Sequence, residues 1–536
     1  MPGLAEAFER VGAFLEHRLP LMNAPGAALA VTDREELLGV VVRGFADAGS
    51  GAPVRPETRF QIGSISKSFA AVVALQEVDA GRLDLHTPVT ELVPWVALPQ
   101  PFAPITMHHL LSHTSGLATG IEDVLEAPSA VWNLRLLSPG FPPGERFWYS
   151  NDAYKLVGLV LERVSGQPVH ELLADRLLRP LGMAHSTAAI TNDVRLDQAI
   201  GYRTLYDDRP PHREHPLVEA QWILGNTADG CIVSDVIDMG AYARLLLNRG
   251  AEVLSLEAFE TLTRPVIDAA FEGYSYAYGL FVSPDGKRVW HSGGMPGFTA
   301  LMDLDVPSGL GCIVLLNGEG DRRSVAAYAL EAVAAALRGD PLPEVTHPPD
   351  PARTSNAADY AGAYHGDGRT IAIEASDDRL VLRENDVEAV LERAEGDAFL
   401  VPHPSLGRYL FSFGRNDENK VVEAMHGPDW LRAEGEVGLD PPIPPDEWRA
   451  FTGHYRGHAL WEPSFRILLR RGKLLKSSPN AETGEYELEL VPLDDGWFRV
   501  GAEEWRPDRI RFEDVADGKT LRAVYDGASW YRTFED

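Results

Sequence analysis

Cysteine and long apolar runs are both scarce in this chain of 536 residues. The two cysteines, Cys231 and Cys312, each lie within an apolar stretch, which predicts small buried hydrophobic residues. Two such cysteines exclude a disulfide framework and a cysteine-rich zinc site. No apolar run approaches the roughly 20 residues that a helix needs to cross a bilayer. With 45% apolar residues, the sequence therefore predicts a globular protein without a membrane partner.

Basic residues are also in the minority. The chain has 49 Lys and Arg against 79 Asp and Glu, which gives a net charge of −30 at pH 7. Nucleic-acid binding needs a basic face, and no cluster of Lys and Arg is visible along the sequence. An acidic excess of this kind is typical of a solubility feature. We therefore expect no nucleic-acid partner.

The first 20 residues lack the basic and apolar segments of a secretory signal. Instead Leu4, Phe8, Val11 and Leu15 recur at helical spacing among acidic residues, which predicts an amphipathic first helix. Provided that no leader has been removed, we expect a cytoplasmic protein.

Residues 1–338 mix strand and helix patterns and are expected to form the first domain. The stretches AALAVT and LLGVVVRGFA predict adjacent early strands, and helical patterns follow at Ser66–Ala80 and Ala153–Val164. Late strands are predicted at GLFVSP, RVWHSGG and GCIVLLN. Early strands, a helical middle and late strands indicate a sheet whose ends come together over a helical layer.

Two proline-rich stretches, Arg338–Ser355 and Gly435–Glu447, lack an apolar period and are predicted to be linkers. The segments that follow them resemble each other, with YAGAYHG matching FTGHYRG and MHGPDWLR matching YDGASWYR. Both repeats contain short strand patterns separated by glycine or aspartate turns, as in small antiparallel barrels. We therefore expect two lipocalin-like β-barrels, at residues 355–434 and 447–536.

Lysine is the scarcest charged residue, yet one of the seven lysines follows a serine by three positions in TRFQIGSISKSFA. If a helix begins near Ser64, this spacing places Ser64 and Lys67 on one face of its first turn, within hydrogen-bond range. Free N–H groups at a helix start stabilise an oxyanion, and a desolvated lysine can take the proton of a serine hydroxyl. A serine helix cap followed by a solvated lysine would explain the same pair.

Two further segments contain polar residues at positions where chemistry is possible. Tyr149 and Asn151 precede an apolar helix pattern, so their side chains can project from a loop or helix start into a cleft. His291 ends a predicted strand and is followed, after one serine, by Gly293 and Gly294, which allow the backbone to approach a ligand closely. Taken singly, each segment is also explained by ordinary packing.

Taken together and in this order, Ser-x-x-Lys, Tyr-Ser-Asn and His-Ser-Gly resemble the signature of the serine β-lactamase and penicillin-binding-protein superfamily. The stretches LLSHTSGL, PGERFWYSN and GMPGF resemble segments of the branch with class C β-lactamases, D-Ala-D-Ala carboxypeptidases, esterases and D-aminopeptidases. The resemblance covers roughly residues 5–335. It implies an α+β fold in which helices cover both sides of an antiparallel sheet and form a helical subdomain, followed here by the two all-β antiparallel barrels.

The resemblance implies that Ser64 attacks an acyl carbon and forms an acyl-enzyme. Lys67 and Tyr149 would then share the general acid and base work. Asn151 would hydrogen-bond to Lys67 and to the substrate amide. No metal and no organic cofactor is implied.

On the substrate side, the resemblance implies an oxyanion hole formed by the N–H groups of Ser64 and Gly294, with Gly293 beside it. His291 stands where many relatives have a lysine that meets a substrate carboxylate. Because histidine is only partly charged at pH 7, we do not expect strict carboxylate recognition.

The resemblance to three-domain D-aminopeptidases, which also have two barrels behind the catalytic domain, implies release of N-terminal D-amino acids from small peptides or amides. A carboxylesterase or weak β-lactamase of the same superfamily is the alternative. A catalytically silent member that binds a ligand or partner is a more remote one, since none of the signature residues is missing. A homodimer is compatible with the sequence.

An aminopeptidase must also bind the ammonium group of its substrate. In relatives with this architecture a barrel loop reaches the mouth of the active site, which makes Glu482 in KSSPNAETGEYE the candidate counter-charge. A solvated hairpin would explain the same stretch. His109 and His113 have the four-residue spacing of zinc ligands on a helix, but without a neighbouring Glu or a third ligand we expect structural roles for both.

Overall fold

The computed structural model describes residues 2–119, 126–366, 368–436, 441–480 and 484–534. The chain forms two compact units, the first comprising Met1–Arg203 and Leu217–His347 and the second Thr204–Pro216 and Pro348–Asp536. No helix within the described ranges is long and apolar enough to cross a membrane.

The strands before residue 348 are antiparallel and most of them belong to one sheet. They are β1 Gly26–Thr32, β2 Leu37–Asp47, β3 Ala52–Pro53, β4 Phe60–Gln61, β5 Tyr202–Thr204, β6 Leu217–Glu219, β7 Val233–Ser234, β8 Ile267–Phe271, β9 Tyr274–Tyr276, β10 Phe281–Val282, β11 Arg288–Met295, β12 Phe298–Asp305 and β13 Leu310–Leu316.

Nine of these strands form the main sheet, in the order β3-β2-β1-β13-β12-β11-β10-β9-β8. The neighbours β1 and β2 confirm the predicted early pair. The late strand β13 lies beside β1, so the two ends of this part of the chain meet in the sheet as expected. Both β1 and β13 are buried along their whole length, which explains why their sequences are continuously apolar.

Helices cover both faces of this sheet and also form a separate helical layer. They are α1 Pro2–Arg18, α2 Ser66–Asp79, α3 Val89–Leu92, α4 Met107–Leu111, α5 Ala127–Asn133, α6 Asn151–Ser165, α7 Val169–Leu173, α8 Asn192–Arg195, α9 Val236–Leu247, α10 Leu256–Thr263 and α11 Arg322–Arg338.

The two faces of the sheet bury alternate residues of β1. Leu29 belongs to a core cluster with Val11 of α1 and Val325 of α11. Because neighbouring side chains of a strand point to opposite faces, Ala28 and Ala30 face the other side, where α9 packs on β1 and β13. The predicted α+β class, with helices on both sides of an antiparallel sheet, is therefore confirmed.

Helix α2 is the central helix, and 11 of its 14 residues are buried. A helix that is apolar nearly all round is typical of the interior of a large domain. Phe69 stacks on Tyr242 of α9 with 3.6 Å between the ring centroids. The Tyr242 hydroxyl also donates to Ser68 Oγ at 2.8 Å, which fixes α2 beside the sheet layer.

The second unit contains two barrels built from antiparallel strands. The first barrel has β14 Gly362–Gly366, β15 Arg369–Ser376, β16 Arg379–Glu384, β17 Val387–Val390, β18 Glu392–Arg393, β19 Ala398–Leu400, β20 Phe411–Arg415, β21 Val421–His426 and β22 Asp429–Ala433. The second has α12 Trp448–Phe451 and then β23 Gly453–Arg456, β24 Ser464–Arg470, β25 Lys473–Asn480, β26 Gly484–Pro492, β27 Phe498–Val500, β28 Arg509–Ala516, β29 Lys519–Tyr525 and β30 Ala528–Arg532.

The second barrel is closed, whereas the first is nearly closed. In the first barrel the two edge strands, β17 and β18, are separated only by Leu391, whose N–H donates to Leu380 O at 2.9 Å. The segment that runs from β17 through Leu391 to β18 therefore forms both edges of the sheet. The expectation of two small all-β barrels is confirmed.

The internal repeat is visible at the level of single hydrogen bonds. Tyr364 of the first barrel donates its hydroxyl to Tyr360 O at 2.7 Å. At the equivalent position of the second barrel, Tyr455 donates to Phe451 O, also at 2.7 Å. The two copies therefore use the same aromatic residue to fix the start of their first strand.

The segment Thr204–Pro216 belongs to the second unit, although it lies within the range 1–338 that the sequence assigned to one domain. Acidic and basic side chains account for its position. Asp207 accepts from Arg456 at 2.6 Å, and Arg213 forms an ion pair with Glu392.

Candidate active site

Ser64 lies on a 3-10 turn, Gly63–Ile65, that leads directly into α2. The helix itself begins at Ser66, where the predicted helical pattern Ser66–Ala80 also begins. Gly63 has φ of +53°, and a Cβ at this position would lie 2.5 Å from Gly294 O. Only glycine combines this backbone conformation with such close packing, so the turn can lie directly against β11.

A second glycine makes the same contact from the opposite side. A Cβ on Gly293 would lie 1.8 Å from Ile62 O and 3.1 Å from Ser64 N. The backbone of β11 at Gly293 and Gly294 therefore contacts the backbone that carries Ser64. This close approach explains the pair of glycines in the His-Ser-Gly-Gly stretch.

Lys67 is fully buried, and its ammonium nitrogen contacts three oxygen atoms. Nζ lies 2.9 Å from Ser64 Oγ and 2.8 Å from Asn151 Oδ1. It also donates to the backbone carbonyl of Asp229 at 2.8 Å. The structure thus places the first two predicted segments in direct contact, with the lysine side chain directed at the serine hydroxyl.

Asn151 is the first residue of α6, and the hydroxyl of Ser150 caps that helix by accepting from Ala153 N at 3.2 Å. This cap directs Tyr149 and Asn151 away from the helix axis and towards Lys67. The centroid of the Tyr149 ring is 4.9 Å from Lys67 Nζ. The predicted Tyr-Ser-Asn segment therefore lies at the same site.

His113 packs beside this site, and its contacts are of the structural kind that the sequence indicated. It is fully buried and lies 4.2 Å from the Tyr149 ring, measured between centroids. Its Nδ1 accepts the N–H of Ser150 at 3.1 Å. Burial, assisted by the charge of Lys67, holds the pKa of His113 well below its usual value. The LLSHTSGL segment was the sequence signal for this residue.

His291 of β11 is buried. The centroid of its ring lies 6.4 Å from the centroid of the Tyr149 ring. Its Nδ1 lies 2.5 Å from Ser292 O, so this nitrogen carries the proton, and Nε2 accepts from the Tyr276 hydroxyl at 3.1 Å. Burial, and then the charge of Lys67, lowers the pKa of His291 to about 3. The imidazole is therefore neutral near pH 7.

Glu482, the candidate counter-charge for a substrate ammonium, lies outside the described residues. The hairpin that contains it is described on either side, where β25 ends at Asn480 and β26 begins at Gly484.

One group of side chains in the described part of the chain has metal-ligand geometry, namely His185, Asp235 and Asp238. The carboxylate groups of Asp235 and Asp238 already accept hydrogen bonds from the protein. Asp235 caps α9 by accepting from two backbone N–H groups and contacts His185 Nδ1 at 2.7 Å. Asp238 accepts from the hydroxyl of Ser186 and the N–H of His185, each at 2.8 Å. The group is therefore explained as a helix cap.

Residues 18–336 match the family model described as Beta-lactamase, which is more than half of the chain. The chain belongs to the beta-lactamase family. The resemblance to the β-lactamase and penicillin-binding-protein superfamily is thereby confirmed, and all three motif segments lie within the matched range. Both barrels lie beyond it.

Among curated relatives, Protein flp of Staphylococcus aureus (strain MW2) is 26% identical over 324 residues, covering 58% of this chain and 63% of that protein. This chain thus spans less than two thirds of the length of that relative. Penicillin-binding protein 4 of Amycolatopsis lactamdurans is 28% identical over 372 residues, covering 65% of this chain and 94% of that protein.

Two solved structures show the same fold. The octameric penicillin-binding protein homologue from Pyrococcus abyssi superimposes with a TM-score of 0.57 at 27% identity, covering 80% of this chain and 99% of that one. The D-amino acid amidase from Ochrobactrum anthropi gives a TM-score of 0.53 at 24% identity, covering 62% of this chain and 99% of that one. The first similarity extends beyond residues 18–336, since it covers 80% of the chain.

Proposed function

We propose that this protein is a serine hydrolase that forms an acyl-enzyme on Ser64 and releases N-terminal D-amino acids from small peptides or amides. The observation that carries the proposal is the contact between Lys67 Nζ and Ser64 Oγ at 2.9 Å in a fully buried position. A buried lysine beside a serine hydroxyl is suited to accept its proton.

Lys67, which is charged in the structure, must first release a proton to solvent. Its neutral amine then takes the Ser64 proton while Oγ attacks the acyl carbon of the substrate. Asn151 Oδ1, 2.8 Å from Nζ, and the carbonyl of Asp229 hold the amine in place. General base catalysis of this kind contributes about 100- to 10,000-fold to the rate.

The tetrahedral intermediate carries its negative charge on the former carbonyl oxygen. The N–H groups of Ser64 and Gly294 are suited to stabilise it, because the backbones that carry them are in contact beside the nucleophile. Each such donor is worth on the order of 3 kcal/mol.

Collapse of the intermediate breaks the bond to the leaving group, which must gain a proton. Tyr149 is suited to pass this proton from Lys67, since its ring centroid is 4.9 Å from Nζ. Water then attacks the acyl-enzyme, its proton passes to the same Lys67–Tyr149 pair, and Ser64 is regenerated with release of the acid.

The neutral state of His291 favours amides and N-terminal residues over substrates recognised by a C-terminal carboxylate. A lysine at this position would provide a permanent positive charge, whereas His291, with its pKa lowered to about 3, provides none near neutral pH. The presence of D-amino acid amidase among proteins of the same fold, together with the two barrels, supports the proposed D-stereochemistry.

The proposal is tested with four substrates: D-alanine p-nitroanilide, its L-enantiomer, p-nitrophenyl acetate and nitrocefin. Each is measured with the native protein and with Ser64→Ala, and thermal unfolding confirms that the variant is folded. We expect hydrolysis of the D-anilide that disappears in the variant. Turnover of p-nitrophenyl acetate or nitrocefin alone through Ser64 would favour the esterase or weak β-lactamase alternative, and no Ser64-dependent turnover would contradict the hydrolase proposal.

A further inference from the structure

A cavity of about 480 Å³ in the second unit has a strongly basic lining. Its walls are formed by strands of the second barrel, by helix α12 and by three residues of the first barrel, Arg408, Tyr409 and Pro428. None of its 15 lining residues is acidic, although the chain contains 79 acidic and 49 basic residues. The basic side chains that line it are Arg408, Arg449, Arg466, Lys519 and Arg532.

Two of these five cations already have partners in the structure. Arg466 is paired with the carboxylate of Asp208 at 3.0 Å. Arg532 donates to backbone carbonyls, among them Ala450 O at 3.0 Å. These contacts hold the two guanidinium groups in place at the wall of the cavity.

The other three cations, Arg408, Arg449 and Lys519, form no ion pair with a carboxylate in the described part of the chain. Positive charges that line one cavity repel one another, and an anion bound among them removes that repulsion. Arginine is well suited to such a role because its planar guanidinium group binds carboxylate and phosphate oxygens in pairs.

His454 also lines the cavity. Its Nδ1 contacts Thr533 Oγ1 at 3.1 Å, whereas its buried Nε2 has no hydrogen-bond partner. Burial, followed by the charges of Arg466 and Arg456, lowers the pKa of His454 to about 4. The imidazole is therefore neutral near pH 7, chiefly because it is buried.

We propose that this cavity binds a small polyanion of the phosphate or polycarboxylate class, held by Arg408, Arg449 and Lys519. Its volume lies within the range of small-molecule sites, about 300–1,000 Å³. Buried Ile467 and Leu468 and the ring of Tyr409 add apolar surface, which suits an organic anion. The proposal is independent of the chemistry proposed for Ser64.

The test is isothermal titration calorimetry of the full chain at low ionic strength, with inorganic pyrophosphate and, separately, with citrate. We expect saturable binding of at least one probe, and the tighter of the two identifies the phosphate or the polycarboxylate class. The double variant Arg449→Gln/Lys519→Gln should weaken that binding by about tenfold or more, because two charge-assisted contacts are lost.

Two controls separate this site from general electrostatic attraction. Lys473→Gln removes an exposed lysine of the same barrel, paired with Glu489 at 2.7 Å, and should leave the affinity unchanged. Arg449→Lys/Lys519→Arg keeps both charges and should retain most of the binding. No saturable binding at about 1 mM of either probe, or equal affinity in the Gln double variant, would overturn the proposal.

Discussion

Two buried lysines lie in contrasting surroundings. One is in the first unit, which contains Ser64 and is called the catalytic unit below, and the other is in the second barrel. Lys67 is fully buried, and its Nζ contacts the hydroxyl of Ser64 and the amide oxygen of Asn151. Lys476 is 3% exposed and donates to the carboxylate of Glu462. Three of the seven lysines of the chain are buried, the third being Lys155 on α6.

The difference distinguishes a structural lysine from a reactive one. A buried ammonium beside a carboxylate forms an ion pair, and removing one partner leaves an uncompensated charge. The buried pair Lys155–Asp152 on α6, at 2.8 Å, is of the same kind. A buried amine directed at a serine hydroxyl can instead exchange a proton with it. Neither burial nor contact with a serine hydroxyl identifies function by itself, because Lys476 Nζ also lies 3.1 Å from Ser478 Oγ. What marks Lys476 as structural is its ion pair with the carboxylate of Glu462.

The largest effect is expected at Lys67. Lys67→Met should lower kcat/KM by about 1,000-fold or more for the substrate that the protein hydrolyses, because the proton of Ser64 loses its acceptor. Steady-state kinetics and thermal unfolding measure activity and folding separately. Lys287→Gln, which removes a lysine with a 63% exposed side chain paired with Asp285, should change neither. Retention of a tenth of the activity in Lys67→Met would contradict a base role.

The opposite pattern is expected at Lys476. Lys476→Met should lower the free energy of unfolding by about 3 kcal/mol, since it leaves Glu462 without its partner, while ester turnover per folded molecule stays unchanged. Urea unfolding measures the loss. The double variant Lys476→Met/Glu462→Leu should recover most of the stability. A loss of activity comparable to that of Lys67→Met would abolish the distinction between the two lysines.

The two regions should also respond in opposite directions to acid. His291 has a folded-state pKa of about 3, below the ordinary 6.5, so its contribution to stability is complete above pH 6.5 and decreases as the pH falls towards 3. For Glu485 in the second barrel, burial raises the pKa from 4.5 to about 7. Its contribution is complete below pH 4.5 and decreases as the pH rises through 7.

Acidification from about pH 7 to pH 5.5 should therefore destabilise the first unit by about 1 kcal/mol per neutral buried histidine. In the second barrel Glu485 should contribute a gain of about 1–2 kcal/mol, of which His454, with its pKa lowered to about 4, offsets about 1 kcal/mol. Hydrogen exchange, corrected for the intrinsic rate, measures both regions in one sample. Glu485→Gln should remove the gain in the barrel, and His291→Gln should reduce the loss in the catalytic unit. A shift of both regions in the same direction would refute this expectation.

The smallest effect is expected when the equivalent tyrosine of each barrel is replaced by phenylalanine and the two losses of stability are compared. Tyr364→Phe and Tyr455→Phe each remove one hydroxyl-to-carbonyl hydrogen bond of 2.7 Å. Each should cost about 1 kcal/mol in urea unfolding, because the net value of such a bond is of that size. A cost above about 2 kcal/mol at only one site would show that the two copies no longer use this residue in the same way.

Much of this architecture could be predicted because its signals are local or repeated. Three kinds of signal depend only on neighbouring residues. They are the strand periods of β1 and β2, the apolar helix patterns of α2 and α6, and the two barrel repeats. The spacing of Ser64 and Lys67 likewise places both near the same helix start. The family resemblance implied a hydrogen bond between Asn151 and Lys67, and Asn151 Oδ1 lies 2.8 Å from Nζ.

Other features could not be predicted because they depend on residues far apart in the chain. The segment Thr204–Pro216 belongs to the barrel unit through ion pairs with Arg456, Arg466 and Glu392. The placement of His113 beside the site depends on a hydrogen bond to Ser150, 37 positions away.

The sequence by itself determined the strand and helix patterns and the repeated barrels, because spacing and apolar period act locally. Its resemblance to a known family implied the fold class and the residues that meet around Ser64. Only the tertiary structure decided the charge state of His291, the contrasting partners of Lys67 and Lys476, and the basic cavity of the second unit. These properties follow from desolvation and from charges brought together by packing. Neither desolvation nor such proximity exists until distant segments are folded against one another.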